Sequence, residues 1–318
     1  MSFEAILFLI LGLIALFIGA ESLIRGSTAL ALKIGLTPLV VGLTVVAFGT
    51  STPELVVSLK AALIGNSSIT LGNVIGSNIA NIALILGTAA LIRPLDVHAN
   101  VVRKEIPLMI AFTILLILLL LDGEVGFIDG IIFFISIVAY TIVNITLARK
   151  EKNAEVENEF KDGLKTKLSI PVSVVMIIVG LGLLILGANL FVNGAIAIAK
   201  LIGVSDAIIG LTVVAIGTSL PELITSAVAS YKNESDIAVG NVVGSNIFNI
   251  LGILGITALI IAINAEGINL IDYSVMLFAT LILLPLSKTG FRISRLEGAF
   301  LVIGYLVYLY YLLQNSAA

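Results

Sequence analysis

Two short polar segments interrupt otherwise apolar sequence, and each contains a proline followed by a glutamate. The first reads AFGTSTPELVVS and holds Pro53 and Glu54; the second reads AIGTSLPELITS and holds Pro221 and Glu222. A proline inside a helix removes one backbone N–H and clashes with the carbonyl four residues earlier. We therefore expect each proline to free backbone oxygens and each glutamate to place a carboxylate beside them. Together these groups can bind a cation.

A polar stripe follows each proline segment in an otherwise apolar run. Residues four apart lie on one face of a helix. The stripes recur at this spacing and consist of Asn73, Ser77, Asn81 and of Asn241, Ser245, Asn249. We expect them to face the glutamates.

The groups brought together in this way all bind through oxygen. Carboxylate, hydroxyl, amide and backbone carbonyl oxygens are hard ligands, which suit Ca²⁺ or Na⁺ better than zinc or copper. Calcium takes roughly 6–8 oxygens, a number that two bidentate glutamates, the carbonyls of Thr50 and Thr218, and one or two waters can supply. Two carboxylates also balance one divalent charge.

The elements that position these residues are transmembrane helices. Of the 318 residues, 59% are hydrophobic and only 12% are charged, whereas soluble domains carry about 25% charged residues. Stretches of about 20 apolar residues indicate membrane spans. The ten predicted spans are 3–24, 37–64, 69–92, 105–121, 125–148, 168–192, 205–231, 237–263, 270–287 and 296–313. Glu54 and Glu222 are the only ionisable residues near the centre of a span, where a charge costs about 2.5 kcal/mol or more.

The two halves of the chain are related by an offset of 168 residues. GNVIGSNIANI at 72–82 matches GNVVGSNIFNI at 240–250. Each half contains five predicted spans, and because five is odd the second half must be inverted in the membrane. We predict an all-α polytopic membrane protein with ten transmembrane helices in two inverted five-helix repeats. These are residues 1–148 with core 37–92, a linker at 149–167, and residues 168–318 with core 205–263.

Inverted repeats are typical of secondary transporters whose substrate site lies at the midplane. Duplication kept only for packing is the alternative, but packing does not require identical polar residues. Gly12, Gly19 and Gly26 form a strip along the first span, matched by Gly180, Gly187 and Gly194 on the sixth. Close helix packing and a seam along which these two helices slide both explain the strip.

Basic residues indicate the orientation. With the N-terminus outside, fifteen of the 17 lysines and arginines fall on the inner side, and only Lys60 and Lys200 fall outside. The positive-inside rule therefore predicts both termini outside and the linker 149–167 in the cytoplasm. We expect a multi-pass protein of the cell (plasma) membrane.

The paired motifs, GTSTPE with GNVIGSNIANI and GTSLPE with GNVVGSNIFNI, resemble the α-repeats of the Na⁺/Ca²⁺ exchanger family (prokaryotic type) in the calcium/cation antiporter superfamily. The resemblance covers nearly the whole chain. It implies a secondary antiporter exchanging Ca²⁺ for Na⁺ by alternating access. By similarity, Glu54, Glu222 and the carbonyls of Thr50 and Thr218 hold Ca²⁺. Na⁺ would use the glutamates with Ala47, Thr50, Ser77, Ala215, Thr218 and Ser245, and Asn81 and Asn249 match the remaining polar positions.

Other functions stay open at this point. An H⁺/Ca²⁺ or K⁺-dependent antiporter of the same superfamily is one alternative, although the GTS motif resembles that of the sodium users. A passive cation channel is another, although channels usually build rings of charge by oligomeric symmetry. We expect no enzymatic activity and no cofactor beyond the transported Ca²⁺ and Na⁺. We also expect a lipid bilayer as surroundings, no nucleic acid, and no obligatory protein partner.

Overall fold

The computed structural model describes residues 3–65, 67–150, 168–201, 215–265 and 268–315. The linker predicted at 149–167 therefore lies outside the described residues except for its first two positions. The elements of the first half are α1 (Phe3–Ile34), α2 (Pro38–Thr50), α3 (Thr52–Leu63), α4 (Ser67–Ala80, continued by Asn81–Leu86 and Gly87–Ile92), β1 (Leu95–Asp96), α5 (Val101–Asp122), β2 (Glu124–Val125) and α6 (Phe127–Lys150).

The second half repeats this order. Its elements are α7 (Ile170–Leu201), α8 (Ala215–Thr218), α9 (Leu220–Tyr231), α10 (Ser235–Phe248, continued by Asn249–Leu254 and Gly255–Ala258), β3 (Ile263–Asn264), α11 (Leu270–Lys288), β4 (Arg292–Ile293) and α12 (Arg295–Asn315). The bounds of α3, β1 and β2 plus 168 are those of α9, β3 and β4, so the predicted repeat is present in the structure.

The described residues contain eight helices that are long and apolar enough to cross a membrane, and α2 with α3 forms a further span bent by 44°. The predicted span at 205–231 is described only from Ala215 onward, because residues 202–214 lie outside the described ranges. The prediction of an all-α polytopic membrane protein is confirmed. The only departure among the described residues is four strands of two residues each.

Two helices are longer than predicted. The membrane spans predicted at 3–24 and 168–192 correspond to helices that continue to Ile34 and Leu201. Arg25 does not end α1, because its side chain stays 64% exposed and pairs with Glu21 one turn earlier. A long cationic side chain can extend toward water while its helix continues.

Contacts between α1 and α7 show that the repeats are inverted. Gly12 approaches Gly187, and Gly19 approaches Gly180, so that residue numbers rise along one helix as they fall along the other. A Cβ atom on any of these four glycines would lie within 3 Å of the facing backbone. The first helices of the two repeats are therefore antiparallel and in backbone contact.

The small ladders join the two halves as well. β1 pairs with β4 through Leu95 and Ile293, and β2 pairs with β3 through Val125 and Ile263, both antiparallel. Since the 168-residue offset converts one ladder into the other, the pairing has the symmetry of the repeat. At the centre lie α4 and α10, of which α10 is almost entirely buried, and these helices carry the polar stripes.

Candidate cation-binding site

Each proline-containing segment forms two helices, and the break between them lies two residues before the proline. α2 ends at Thr50 and α3 begins at Thr52, with Ser51 between them at φ −83° and ψ 8°. In the second repeat Ser219 occupies the same position with φ −89° and ψ 8°. Because proline has no N–H to donate to the preceding turn and is tolerated in the first turn of a helix, the sequence ends one helix and starts another here.

The two breaks face each other across the repeat boundary. The Ser219 hydroxyl donates to Glu54 Oε1 at 3.0 Å, and the Ser51 hydroxyl donates to Glu222 Oε1 at 2.9 Å. Both glutamates are 1% exposed. Each carboxylate therefore belongs to one repeat and is held by a serine of the other. The second oxygen of each, Oε2, is buried without a hydrogen-bond partner.

The polar stripes tie these glutamate-bearing helices to α4 and α10. Asn73 Nδ2 donates to the backbone carbonyl of Glu54 at 3.2 Å and to Ser58 Oγ at 2.9 Å. Asn241 Nδ2 makes the equivalent bonds to the Glu222 carbonyl at 3.5 Å and to a serine hydroxyl on α9. The stripes thus position the backbone on which the carboxylates stand.

Hydroxyl groups and one backbone carbonyl complete the contact between repeats. The Thr50 hydroxyl donates to the Val46 carbonyl at 3.0 Å and lies 3.1 Å from Asn241 Oδ1. Ser245 Oγ donates to the Ala47 carbonyl at 3.4 Å. Ser77 Oγ lies 3.4 Å from Oγ of Ser219, the serine that donates to Glu54.

Asn81 and Asn249 contribute amides that are 1% exposed. Asn81 Nδ2 donates to Asn246 Oδ1, and Asn249 Nδ2 donates to Asn78 Oδ1, each at 3.1 Å. Their own Oδ1 atoms are buried without a partner. Both residues begin a π-helical turn, Asn81–Leu86 and Asn249–Leu254, a feature frequent at functional sites.

Four carboxylate and amide oxygens of the predicted site residues are therefore buried without donors: Oε2 of the two glutamates and Oδ1 of the two asparagines. The described residues contain no group of three or more His, Cys, Asp or Glu residues that could hold a metal. The site thus combines two negative charges with neutral oxygens. This composition suits a hard cation bound by oxygen alone.

Of the ten predicted site residues, eight take part in these contacts. Thr218 ends α8 beside Ser219 and is half-buried, and Ala215 begins α8. Residues that the sequence interpretation missed are Ser51, Ser219, Asn78 and Asn246. All four stand at identical positions in the two copies of the motifs, which was the available signal.

Comparison with known proteins gives the same repeat. The sequence profile of the family described as "Sodium/calcium exchanger protein" matches residues 4–146 and again residues 172–314. The second match begins and ends 168 residues after the first, which is the offset of the two motifs.

Individual proteins are similar over most of the chain. Inner membrane protein YrbG of Escherichia coli is 36% identical over 246 residues, which is 76% of each chain. Sodium/calcium exchanger MaX1 of Methanosarcina acetivorans is 31% identical over 286 residues, 76% of this chain and 79% of that protein. A solved structure of the sodium-calcium exchanger NCX_Mj, soaked with zero Na⁺ and Ca²⁺, has a TM-score of 0.85 and 34% identity and covers 98% of this chain and 100% of that chain.

Proposed function

The chain belongs to the sodium/calcium exchanger family, and we propose that it exchanges Ca²⁺ for Na⁺ by alternating access at the site of Glu54 and Glu222. The observation that carries this proposal is the set of four buried oxygens without donors, contributed by these glutamates and by Asn81 and Asn249. A buried polar group without a partner costs about 1–3 kcal/mol. We infer that cations bound between the repeats satisfy these oxygens.

For Ca²⁺, the ligands are both carboxylates and the carbonyls of Thr50 and Thr218, with water completing the roughly 6–8 oxygens that calcium takes. For Na⁺, the carboxylates are shared among several smaller charges. The additional Na⁺ ligands are Ala47, Thr50, Ser77, Ala215, Thr218 and Ser245. Asn81 and Asn249 present their unpartnered Oδ1 atoms to either ion, directly or through the water that completes the Ca²⁺ shell. Since two carboxylates neutralise one Ca²⁺ or two Na⁺, the same site serves both ions in turn.

We infer that contact between α2 and α10 closes the inner approach to the site. A Cβ atom on Gly240 would lie 3.0 Å from the Leu39 carbonyl and 3.1 Å from the Leu43 amide. The outer approach differs: Asn73 is partly exposed, whereas its repeat equivalent Asn241 is fully buried. These contacts support an arrangement in which ions reach the site from the outside and the inside is shut.

The cationic residues at one end of the structure support the orientation that we propose. Glu21 pairs with both Arg25 and Lys232, and Arg295 donates to the Ile92 carbonyl beside Arg93. All four cations belong to the set that the positive-inside rule assigns to the cytoplasm. We therefore propose a protein of the cell membrane with both termini outside and the linker 149–167 inside, between the five-helix repeats 1–148 and 168–318.

The test is ⁴⁵Ca²⁺ uptake into proteoliposomes that are loaded with Na⁺ and diluted into Na⁺-free medium. We expect uptake that stops when choline replaces internal Na⁺. Uptake driven by a proton gradient without Na⁺ would instead identify an H⁺/Ca²⁺ antiporter. Uptake that needs no counter-ion would identify a channel and contradict the proposal.

A matched pair of variants tests the site itself. Glu222→Gln removes one of the two charges while keeping the shape of the side chain, and we expect no Na⁺-driven Ca²⁺ uptake. Glu105→Gln is the control, because Glu105 is equally a buried carboxylate, at 5% exposed, but bonds Tyr140 at 2.6 Å. A glutamine there can still accept that bond. Substantial uptake by Glu222→Gln would show that the site has been misassigned.

A further inference from the structure

Four buried asparagines form two amide pairs that cross between the repeats. Asn249 on α10 donates to Asn78 on α4, and Asn81 on α4 donates to Asn246 on α10, each at 3.1 Å. All four side chains are at most 2% exposed. Each pair thus consists of one candidate ligand and one residue outside the candidate ligand set.

The orientation of the second residue in each pair is fixed by a further contact. Asn78 Nδ2 donates to the Asn246 backbone carbonyl at 3.4 Å, so its Oδ1 must face Asn249. Asn246 Nδ2 faces the Met109 sulfur at 3.5 Å, so its Oδ1 must face Asn81. These contacts decide which end of each amide is the acceptor.

The orientation of Asn78 and Asn246 fixes the orientation of the candidate ligands Asn249 and Asn81. An asparagine amide has one acceptor oxygen and two N–H donors, and its terminal torsion has two nearly equivalent positions. Because Asn249 uses its Nδ2 as donor to Asn78, its Oδ1 is the atom left without a partner in the site. The opposite rotation would present N–H groups, which repel a cation.

We propose that Asn78 and Asn246 are positioning residues, which hold the amides of Asn249 and Asn81 with their oxygens toward the transported cation. This proposal rests on the function proposed above. Each positioning residue acts on the ligand of the other repeat, so both repeats are needed to orient each amide. Neither residue touches the ion.

The two positioning residues are anchored by contacts of unequal strength. Asn78 is anchored by a backbone carbonyl, whereas Asn246 is anchored by a thioether sulfur, which is a weak acceptor. We therefore expect Met109→Leu to weaken cation binding slightly through Asn81 and to have no effect through Asn249.

An ionised carboxylate has two acceptor oxygens, so unlike an amide it does not need to be oriented. This difference provides a test of the positioning role of Asn78. In an Asn249→Asp background both oxygens are acceptors, so orientation by Asn78 is no longer required. We expect Asn78→Ala to raise the half-saturating Ca²⁺ concentration by about threefold to tenfold, which lies in the lower part of the roughly twofold to 150-fold coupling found between contacting residues. This effect should disappear in the Asn249→Asp background. It should persist in the Asn81→Asp background, which is the matched control.

Equal effects of Asn78→Ala in both aspartate backgrounds would overturn the proposal, because a purely structural role does not distinguish them. If Asn78→Ala does not fold, the reciprocal pair decides: the effect of Asn246→Ala should disappear with Asn81→Asp and persist with Asn249→Asp. The measurement is ⁴⁵Ca²⁺ binding to the purified full-length protein, alongside flux. Absence of Na⁺-driven uptake by the unchanged protein would contradict the proposed function, whereas only the background comparison bears on the asparagines.

Discussion

The close approach of α1 and α7 makes a quantitative prediction for Gly187→Ala. A Cβ atom on Gly187 would lie 2.7 Å from the Leu16 amide nitrogen and 2.8 Å from the Gly12 carbonyl oxygen. Ordinary contacts of a Cβ atom begin at 3.4 Å. The two helices must therefore separate by about half an ångström or more at this level, which loses dispersion contacts on both sides.

The size of the effect follows by comparison with Gly182 on the same helix. Overpacking costs about 1–3 kcal/mol, while alanine in a helix gains roughly 0.5–1 kcal/mol over glycine. Gly182 is exposed, and no described atom lies within 4 Å of its added Cβ, so Gly182→Ala has only the gain. Gly187→Ala should therefore be less stable than Gly182→Ala by about 1–3 kcal/mol.

Reversible unfolding in mixed detergent micelles measures this difference. Equal free energies of unfolding for Gly187→Ala and Gly182→Ala would refute the predicted clash between α1 and α7. A second check uses Gly12, whose added Cβ would lie 2.8 Å from the Gly187 carbonyl. Because one separation of the helices relieves both clashes, Gly12→Ala with Gly187→Ala should cost less than the sum of the single variants.

Ca²⁺ uptake by the same variants shows whether the glycines serve only close packing of α1 and α7 or also allow these helices to slide. If α1 and α7 move along the seam during exchange, Gly187→Ala lowers the maximal rate of Ca²⁺ uptake. It leaves the half-saturating Ca²⁺ concentration unchanged, since the site residues lie on other helices. We expect this result relative to Gly182→Ala. An unchanged maximal rate in a less stable variant would assign the glycines to packing alone.

Three further predictions concern the site. Ser219→Ala removes the hydroxyl bonded to Glu54. Since a hydrogen bond to a charged group contributes about 1.5–3 kcal/mol, the half-saturating Ca²⁺ concentration should rise by about tenfold or more. An unchanged value in flux assays would contradict a role for the serine–glutamate bonds between the repeats. Protons compete with Ca²⁺ for the carboxylates, so uptake should fall between neutral pH and about pH 5; a flat profile would count against a carboxylate site. Because Asn81 and Asn249 are both neutral, no charge remains for an accompanying K⁺, and replacing K⁺ by choline on both sides should leave uptake unchanged; a requirement for K⁺ would mean that these amides were misread.

The sequence predicts most of the fold because its signals are local or repeated. Long apolar runs mark the spans, and the breaks follow from Pro53 and Pro221, whose missing N–H groups act on adjacent turns. The predicted span 3–24 stops short of Ile34, where α1 ends, because hydropathy marks the apolar run and not the end of the helix. Only the tertiary structure shows that Arg25 pairs with Glu21 within the continuing helix. Two-residue strands such as Leu95–Asp96 have no local signal, since their partners lie in the other half.

The 168-residue offset does not describe every buried contact. A methionine followed four residues later by a threonine that bonds its carbonyl recurs in α5 and α11, as Met109 with Thr113 and Met276 with Thr280, at an offset of 167 residues. α5 begins with the π-helical turn Val101–Glu105, which accommodates one extra residue. Hydropathy carries no signal for such a turn, because it changes the hydrogen-bond pattern and leaves the apolar composition as it was.

The crossed hydrogen bonds explain why sequence reasoning found the ligands but not the residues that hold them. Ser51 bonds Glu222, which lies 171 residues away in the other repeat, so no pattern within its own repeat indicates the contact. Ser219 likewise bonds Glu54. Any movement that changes how the repeats lie against each other must stretch or exchange these bonds, and each ion placed on the glutamates changes their strength. A ligand shifts a conformational equilibrium by its difference in affinity for the two states. Bonds that join a carboxylate of one repeat to a serine of the other provide such a difference, and so couple ion binding to the arrangement of the repeats.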